Sequence, residues 1–293
     1  MRHLIDPLDF TKEETQKLLD LADRIHDDPE AYQDVADRKR LATLFYEPST
    51  RTRLSFESAM LRLGGKVLGF PDAGVSSASK GETVADTIRI ISCYADIAAM
   101  RHPKEGAPLR ASLYSKIPVI NAGDGMDEHP TQALLDMLTI KEKKGGFKGL
   151  KVAIIGDIYH SRVVRSDVYG LTKLGADVSV GGPTTLMPPG MERLGVKVFN
   201  NVEDAIKDAD VVMGLRIQLE RQKKGLFPSI REYYRFFGVD NERLKLAKPG
   251  ALVMHPGPVN RGVEFSSSVI DGEQSVINEQ VTNGVAVRMA VMY

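Results

Sequence analysis

Leu41-Ala42-Thr43-Leu44-Phe45-Tyr46-Glu47-Pro48-Ser49-Thr50-Arg51-Thr52-Arg53-Leu54-Ser55-Phe56 is the stretch whose reading decides the fold. Residues 41–45 form a short apolar run of strand length. A proline-bearing loop follows, after which Leu54, Phe56, Ala59, Met60 and Leu63 recur at helical spacing. A strand that passes through a loop into a helix is the repeating unit of a parallel sheet with crossover helices. The same unit returns at 67–70, 97–100 and 119–121, and a second series begins with Val152-Ala153-Ile154-Ile155-Gly156. That series continues at 178–180, 196–199, 211–213 and 251–254. The expected fold class is therefore α/β, with two domains that are each a parallel sheet flanked by helices.

Other segments frame these two series. Thr11 and Glu14 stand in capping-box spacing ahead of a helix whose Leu18, Leu21, Ala22 and Ile25 share a face. Pro130 suits a first helical position, and the helix it opens runs through Leu134, Leu135 and Leu138 to stop at Gly145-Gly146. It is expected to bridge the domains, giving residues 1–130 as the first, 131–146 as the bridge and 147–277 as the second. The tail, 278–293, reads as a last helix; nothing in its own residues says which domain it joins, and packing back on the first is the expectation.

The chain has 293 residues, close to where single cores stop growing, which favours two domains over one. Lys plus Arg number 39 and so do Asp plus Glu, so no global field attracts nucleic acid or an anionic membrane. Any anion site must be local. The single cysteine, Cys93, excludes an internal disulfide and a thiolate metal cluster, and its helical context points to packing. Met1-Arg2-His3-Leu4-Ile5-Asp6-Pro7 reaches acid and proline too soon for a signal peptide, and no apolar run has membrane-spanning length. The expectation is a soluble cytoplasmic protein.

In open α/β sheets ligands gather at the carboxyl ends of strands. Ser49, Thr50 and Arg51 lie there, at a helix N-terminus, where free backbone N–H groups, the helix dipole, hydroxyl donors and a forked cation suit phosphate. On spacing alone an ordinary Ser/Thr cap with solvated arginines fits equally well. Arg101 follows a strand, and His129 and Gln132 flank the start of the bridging helix. Taken singly, His129 reads as a structural histidine and Arg101 as a salt-bridge partner. The segment 72–81 is small, polar and glycine-bearing, which suits a mobile loop. Gly156-Asp157-Ile158-Tyr159-His160-Ser161-Arg162 lacks the later glycines that a dinucleotide pyrophosphate requires.

Ser49-Thr50-Arg51-Thr52-Arg53-Leu54-Ser55-Phe56-Glu57 resembles the carbamoyl-phosphate signature of aspartate and ornithine carbamoyltransferases. The resemblance continues through Lys80-Gly81-Glu82-Thr83, Met100-Arg101-His102-Pro103, His129-Pro130-Thr131-Gln132 and the run His255-Pro256-Gly257-Pro258-Val259-Asn260-Arg261-Gly262-Val263-Glu264. It covers essentially the whole chain. It implies that the first domain binds carbamoyl phosphate, with Ser49, Thr50, Arg51, Thr52 and Arg101 on the phosphate. Thr52, Arg101 and His129 would meet the carbamoyl oxygen, and Gln132 the carbamoyl nitrogen. It further implies a homotrimer with shared active sites, in which Ser76 and Lys80 reach a neighbour's phosphate site; Ser77 and Ser79 compete for the serine's role. The second domain would bind the amino acid through Lys80, Arg162, Arg216, Gln218 and the backbone at Pro256 and Gly257.

Ornithine carbamoyltransferases usually carry His-Cys-Leu-Pro where this chain has His255-Pro256-Gly257-Pro258. The loop of Arg216 and Gln218 would repel a cationic side chain through its arginine, and two arginines facing two carboxylates supply geometry as well as charge, so the resemblance favours L-aspartate. The implied reaction belongs to pyrimidine biosynthesis and calls for no cofactor and no metal. A zinc-bearing regulatory chain or dihydroorotase accompanies some members. A catalytically silent scaffold subunit is the alternative from another class, and it would be expected to have lost some of these polar residues.

Overall fold

The computed structural model describes residues 1–218 and 229–293. The expected second domain, 147–277, thus includes residues 219–228, which lie outside the described ones. The chain divides into two compact units, one of Met1–Leu138 with Thr282–Tyr293 and one of Thr139–Val281.

The first unit opens with helix α1 (Lys12–Asp27), whose capping box forms: Thr11 Oγ1 accepts the Glu14 N–H and Glu14 Oε2 accepts the Thr11 N–H. Its buried face is Thr15, Leu19, Ala22 and Ile25, not the face through Leu18 and Leu21. Leucines at 18, 19 and 21 allow two neighbouring stripes, and packing selects the one that carries Leu19. Then follow β1 (Arg40–Phe45), α2 (Thr50–Arg62), β2 (Lys66–Phe70), α3 (Val84–Ile91), β3 (Ile97–His102), α4 (Ala107–Tyr114) and β4 (Val119–Asp124). Next comes α5 (Pro130–Lys144), within which the unit boundary falls. The strands run in the order β2-β1-β3-β4, all parallel. Ala42, Leu44, Met100 and Val119 from three adjacent strands meet Ile88 of α3 and Ala111 of α4 in one apolar cluster. Burying each large member contributes about 1.5–3 kcal/mol.

The helical run expected from Leu54 to Leu63 forms α2 and its C-cap, and the helix buries Thr52, Phe56, Ala59 and Met60 while Leu54 is 55% exposed. Cys93 is exposed rather than packed, because it stands four residues after Arg89 and seven after Asp86, in line with the solvent face of α3.

The second unit contains β5 (Lys151–Ile155), α6 (Arg162–Leu174), β6 (Asp177–Gly181), β7 (Lys197–Phe199), α7 (Val202–Ile206) and β8 (Val211–Gly214). It continues with α8 (Ile230–Phe237), α9 (Asn241–Leu244), β9 (Leu252–Met254), α10 (Ser267–Ile270) and α11 (Ile277–Met292), whose residues from Thr282 onward belong to the first unit. Its strands, also parallel, take the order β7-β6-β5-β8-β9. Phe265, fully buried among Ala153, Ile155, Val212 and Val253, lies directly beneath β8: a Cβ at Gly214 would sit 2.5 Å from its ring.

Both orders contain a reversal. The first sheet grows from β1 toward β2 on one side and through β3 toward β4 on the other; the second grows from β5 toward β6 and through β8 toward β9. Loops at such a switch point diverge and leave a crevice at the strand ends. One crevice therefore lies after β1 and β3, and the other after β5 and β8.

Candidate active site

At the first switch point Phe45 pairs in register with Arg101, and the Tyr46 N–H donates to the Arg101 carbonyl oxygen at 2.8 Å. This brings the loop 46–49 and the side chain of Arg101 to the same sheet end. Ser49 is the N-cap of α2 in extended conformation, with no side-chain capping bond, and the first turn of this 13-residue helix carries no acidic residue. The positive end of the helix dipole is thus uncompensated by its own sequence. Thr52 is buried and Arg51 exposed. Arg53 is tied to Glu57 at 2.7 Å, and Glu57 also accepts from Thr43 Oγ1 at 3.2 Å. Arg101 is held from two sides: Nη2 lies 2.9 Å from Glu47 Oε1 and Nη1 donates to the Ala122 carbonyl at 3.3 Å.

His129 and Gln132 enter from the next strand. Following β4, the buried His129 accepts the Gln132 N–H at 2.9 Å on its carbonyl oxygen, which starts α5. Gln132, 8% exposed, donates Nε2–H to both oxygens of the fully buried Asp136 at 3.1 and 3.2 Å. The structure therefore gathers Ser49, Thr50, Arg51, Thr52, Arg101, His129 and Gln132 at the carboxyl ends of three adjacent strands, β1, β3 and β4, and in the loops and helix starts that follow them. Ser76 and Lys80 follow the edge strand β2 instead; the Ser76 hydroxyl donates to the Ala73 carbonyl within its own turn at 2.9 Å, and Lys80 is exposed.

In the second unit the corresponding loops follow β5, β8 and β9. Gly156 lies against β8: its φ is +124°, and a Cβ there would meet the Leu215 carbonyl oxygen at 2.5 Å, so only glycine lets the two loops approach. Arg162 opens α6 and is 5% exposed, unlike a surface arginine. Gln218 is held by Nε2–H to the His160 carbonyl at 2.9 Å and by its own N–H to Asp157 Oδ2 at 3.3 Å; Asp157 Oδ1 in turn lies 2.8 Å from His160 Nδ1. Glu264 joins this loop to the one after β9, accepting from the Ile217 N–H, the Asn260 N–H and Asn260 Nδ2, each at 2.8 Å. Burial holds the Glu264 carboxyl above the usual carboxylate range. The Gly257 N–H donates to His255 Nδ1 at 2.9 Å, and the φ of +71° at Gly257 favours glycine over a side-chain-bearing residue.

Glu47, Asp136 and Asp157 contact Arg101, Gln132 and Gln218, Glu264 ties together the loops after β8 and β9, and none of the four carries a role in the sequence reading. Asp136 left a trace: it is one acid inside Ala133-Leu134-Leu135-Asp136-Met137-Leu138, a run too apolar for a solvated carboxylate. Among the described residues no group of three or more His, Cys, Asp or Glu could hold a metal ion, and no helix is long and apolar enough to cross a membrane.

Residues 2–142 match the family model described as the carbamoyl-P binding domain of aspartate/ornithine carbamoyltransferase, and residues 148–293 its Asp/Orn binding domain. An aspartate carbamoyltransferase catalytic subunit of Ruminiclostridium cellulolyticum is 67% identical over 256 residues, 87% of this chain and 82% of that one. The aspartate transcarbamoylase of Trypanosoma cruzi solved with carbamoyl phosphate has a TM-score of 0.90 at 33% identity, covering 99% of this chain and 94% of that one. The ornithine carbamoyltransferase of Pyrococcus furiosus has 0.88 at 34%, covering 99% and 96%.

Proposed function

The chain belongs to the aspartate/ornithine carbamoyltransferase family, and we propose that it transfers the carbamoyl group of carbamoyl phosphate to the amine of L-aspartate, giving N-carbamoyl-L-aspartate and phosphate. The fold alone serves both substrates, since relatives acting on aspartate and on ornithine superpose on it almost equally well. The observation that carries the choice is the 67% identity to an aspartate carbamoyltransferase catalytic subunit. The chemistry of the second unit agrees with it, for Arg162 and Arg216 suit a dicarboxylate and would repel the side-chain ammonium of ornithine.

The mechanism follows from the residues at the two switch points. The α2 N-terminus, Ser49, Thr50, Arg51 and Arg101 hold the phosphate. The free amine of aspartate attacks the carbamoyl carbon; a C–N bond forms and the carbonyl electrons move onto oxygen, where Thr52, Arg101 and His129 stabilise the charge. The bond to the phosphate oxygen then breaks. The departing phosphate accepts the amine proton, so no side chain need be a strong base. Arg162, Arg216, Gln218 and the backbone at Pro256 and Gly257 fix the aspartate, so that binding energy is converted into orientation.

The assembly proposed with this function is a homotrimer in the cytoplasm in which Ser76 and Lys80 complete a neighbour's site, with a regulatory chain or dihydroorotase as a further partner. The test of the reaction is carbamoylation by the purified chain with aspartate and ornithine supplied in parallel. Carbamoylaspartate is the expected product, whereas predominant carbamoylornithine would overturn the substrate choice and no turnover would favour a silent subunit.

A further inference from the structure

Gln132 is the residue of the carbamoyl site that carries an amide, and its chemistry depends on which way round that amide stands. Its amide offers a donor on one side and an acceptor on the other, and the NH2 of a carbamoyl group needs the acceptor. We propose that Asp136 is a positioning residue that fixes this orientation, presenting Gln132 Oε1 to the carbamoyl NH2 and so making the site select a carbamoyl over an acetyl group. This rests on the reading above of Gln132 as the ligand of the carbamoyl nitrogen.

The orientation follows from chemistry. An ionised carboxylate only accepts hydrogen bonds, so both Asp136 oxygens, at 3.1 and 3.2 Å, can face only the amide nitrogen of Gln132. The amide oxygen then points the other way. Asp136 and Gln132 stand one helical turn apart on α5, so the backbone sets their separation.

The selection requires that Asp136 stay ionised although it is wholly buried. A protonated Asp136 could donate to Oε1 and turn the amide over. Arg288, on α11 and 3% exposed, supplies the counter-charge. Burial lowers its own pKa to about 10, and the field of Asp136 acts in the opposite sense, so the guanidinium remains charged at neutral pH. It is locked in place, with Nη1 donating to Ser55 Oγ at 3.0 Å and to the Gly284 carbonyl at 2.9 Å and its Cζ 5.0 Å from the Phe56 ring centroid. Ser55 and Phe56 lie on α2, so the same arginine touches the helix whose N-terminus faces the phosphate.

Two stable probes separate selection from general binding: phosphonoacetamide, which keeps the NH2, and acetonylphosphonate, which has CH3 in its place. Calorimetry with both, and with inorganic phosphate, is run on the wild-type chain, Asp136→Asn, Gln132→Ala and the double variant. The wild type should prefer the amide. Asp136→Asn should lower that preference about fivefold or more by weakening the amide alone, with the other two ligands changed less than about twofold. The double variant should lose no more preference than Gln132→Ala. If Asp136→Asn weakens all three ligands alike, or leaves the preference intact, Asp136 does not set the orientation. If Gln132→Ala itself keeps the preference, the assignment of Gln132 fails and this inference with it; loss there without loss in Asp136→Asn sinks only the inference. Should Asp136→Asn be unstable with Arg288 left uncompensated, Asp136→Asn/Arg288→Gln removes both charges and carries the same expectation.

Discussion

Glu47 Oε1 lies 2.9 Å from Arg101 Nη2 in a pair whose side chains are only 22% and 14% exposed. A phosphate that recruits Arg101 must therefore compete with a carboxylate already there. Neutralising the competitor should tighten anion binding: Glu47→Gln is expected to raise the affinity for inorganic phosphate about fivefold, a change of ~1 kcal/mol. Titration calorimetry reads this, and weaker binding would mean that Glu47 aims Arg101 rather than occupying it. The neighbouring His102 behaves differently. Burial lowers its pKa below the ordinary 6.5, its ring packs 4.8 Å from Tyr46, and its Nδ1 accepts the Lys104 N–H. The unfolded chain therefore takes up this proton before the folded one does, and the contribution of His102 is lost as the pH falls through about 6.5. Unfolding titrations should show stability declining below that pH by up to ~1.4 kcal/mol per pH unit on account of this group. His102→Phe should flatten that part of the curve, and an unchanged curve would mean the ring is protonated in the fold.

Elements place what residues cannot place alone. Strand β8 ends at Gly214, and the loop of Arg216 and Gln218 begins there, supported by Phe265 from below. A methyl group at Gly214 would meet the Phe265 ring at 2.5 Å, so either the ring or the strand must shift. Gly214→Ala is expected to cost about 1–3 kcal/mol of stability and to raise the KM for aspartate severalfold. Phosphate binding, which belongs to the other unit, should be unaffected. Denaturant melts and a titration with phosphate distinguish these effects, and a loss of phosphate affinity in the folded variant would mean that the two ligand sets are not independent. The same scale explains a sequence misreading: the stripe of α1 was placed one residue off because three leucines at 18, 19 and 21 satisfy the helical period twice.

For the whole molecule the sharpest expectation concerns the proposed trimer. Arg51→Ala removes a proposed resident phosphate ligand, and Lys80→Ala removes the residue proposed to come from a neighbour, so each variant alone should be nearly inactive. In a closed ring that contains both kinds of chain, one of the three sites combines an intact resident set with an intact neighbouring loop. Equal random mixing makes about three quarters of the trimers mixed, so roughly a quarter of wild-type activity should return after dissociation and reassembly. Chains that mix without regaining activity would place Lys80 in its own subunit's site or in none.

Local chemistry made much of this protein legible in advance. Strands and helices were readable because apolar period is a local property, and the α/β class follows from their alternation. The run from Ser49 to Glu57 suited a phosphate site, since hydroxyls and a guanidinium at a helix start can hold an anion, but an ordinary capped helix fitted the spacing equally well and the family resemblance made the choice. Tertiary structure decided what depends on partners far away in the chain. Only the strand order sets β1 beside β3 and β5 beside β8, which turns separate loops into two crevices. Only packing brings Arg288 against Ser55 and Phe56, more than two hundred residues away, where its charge can act on Asp136. Nothing in the spacing of a sequence specifies such a pairing, because a buried charge is defined by the counter-charge that folding brings to it.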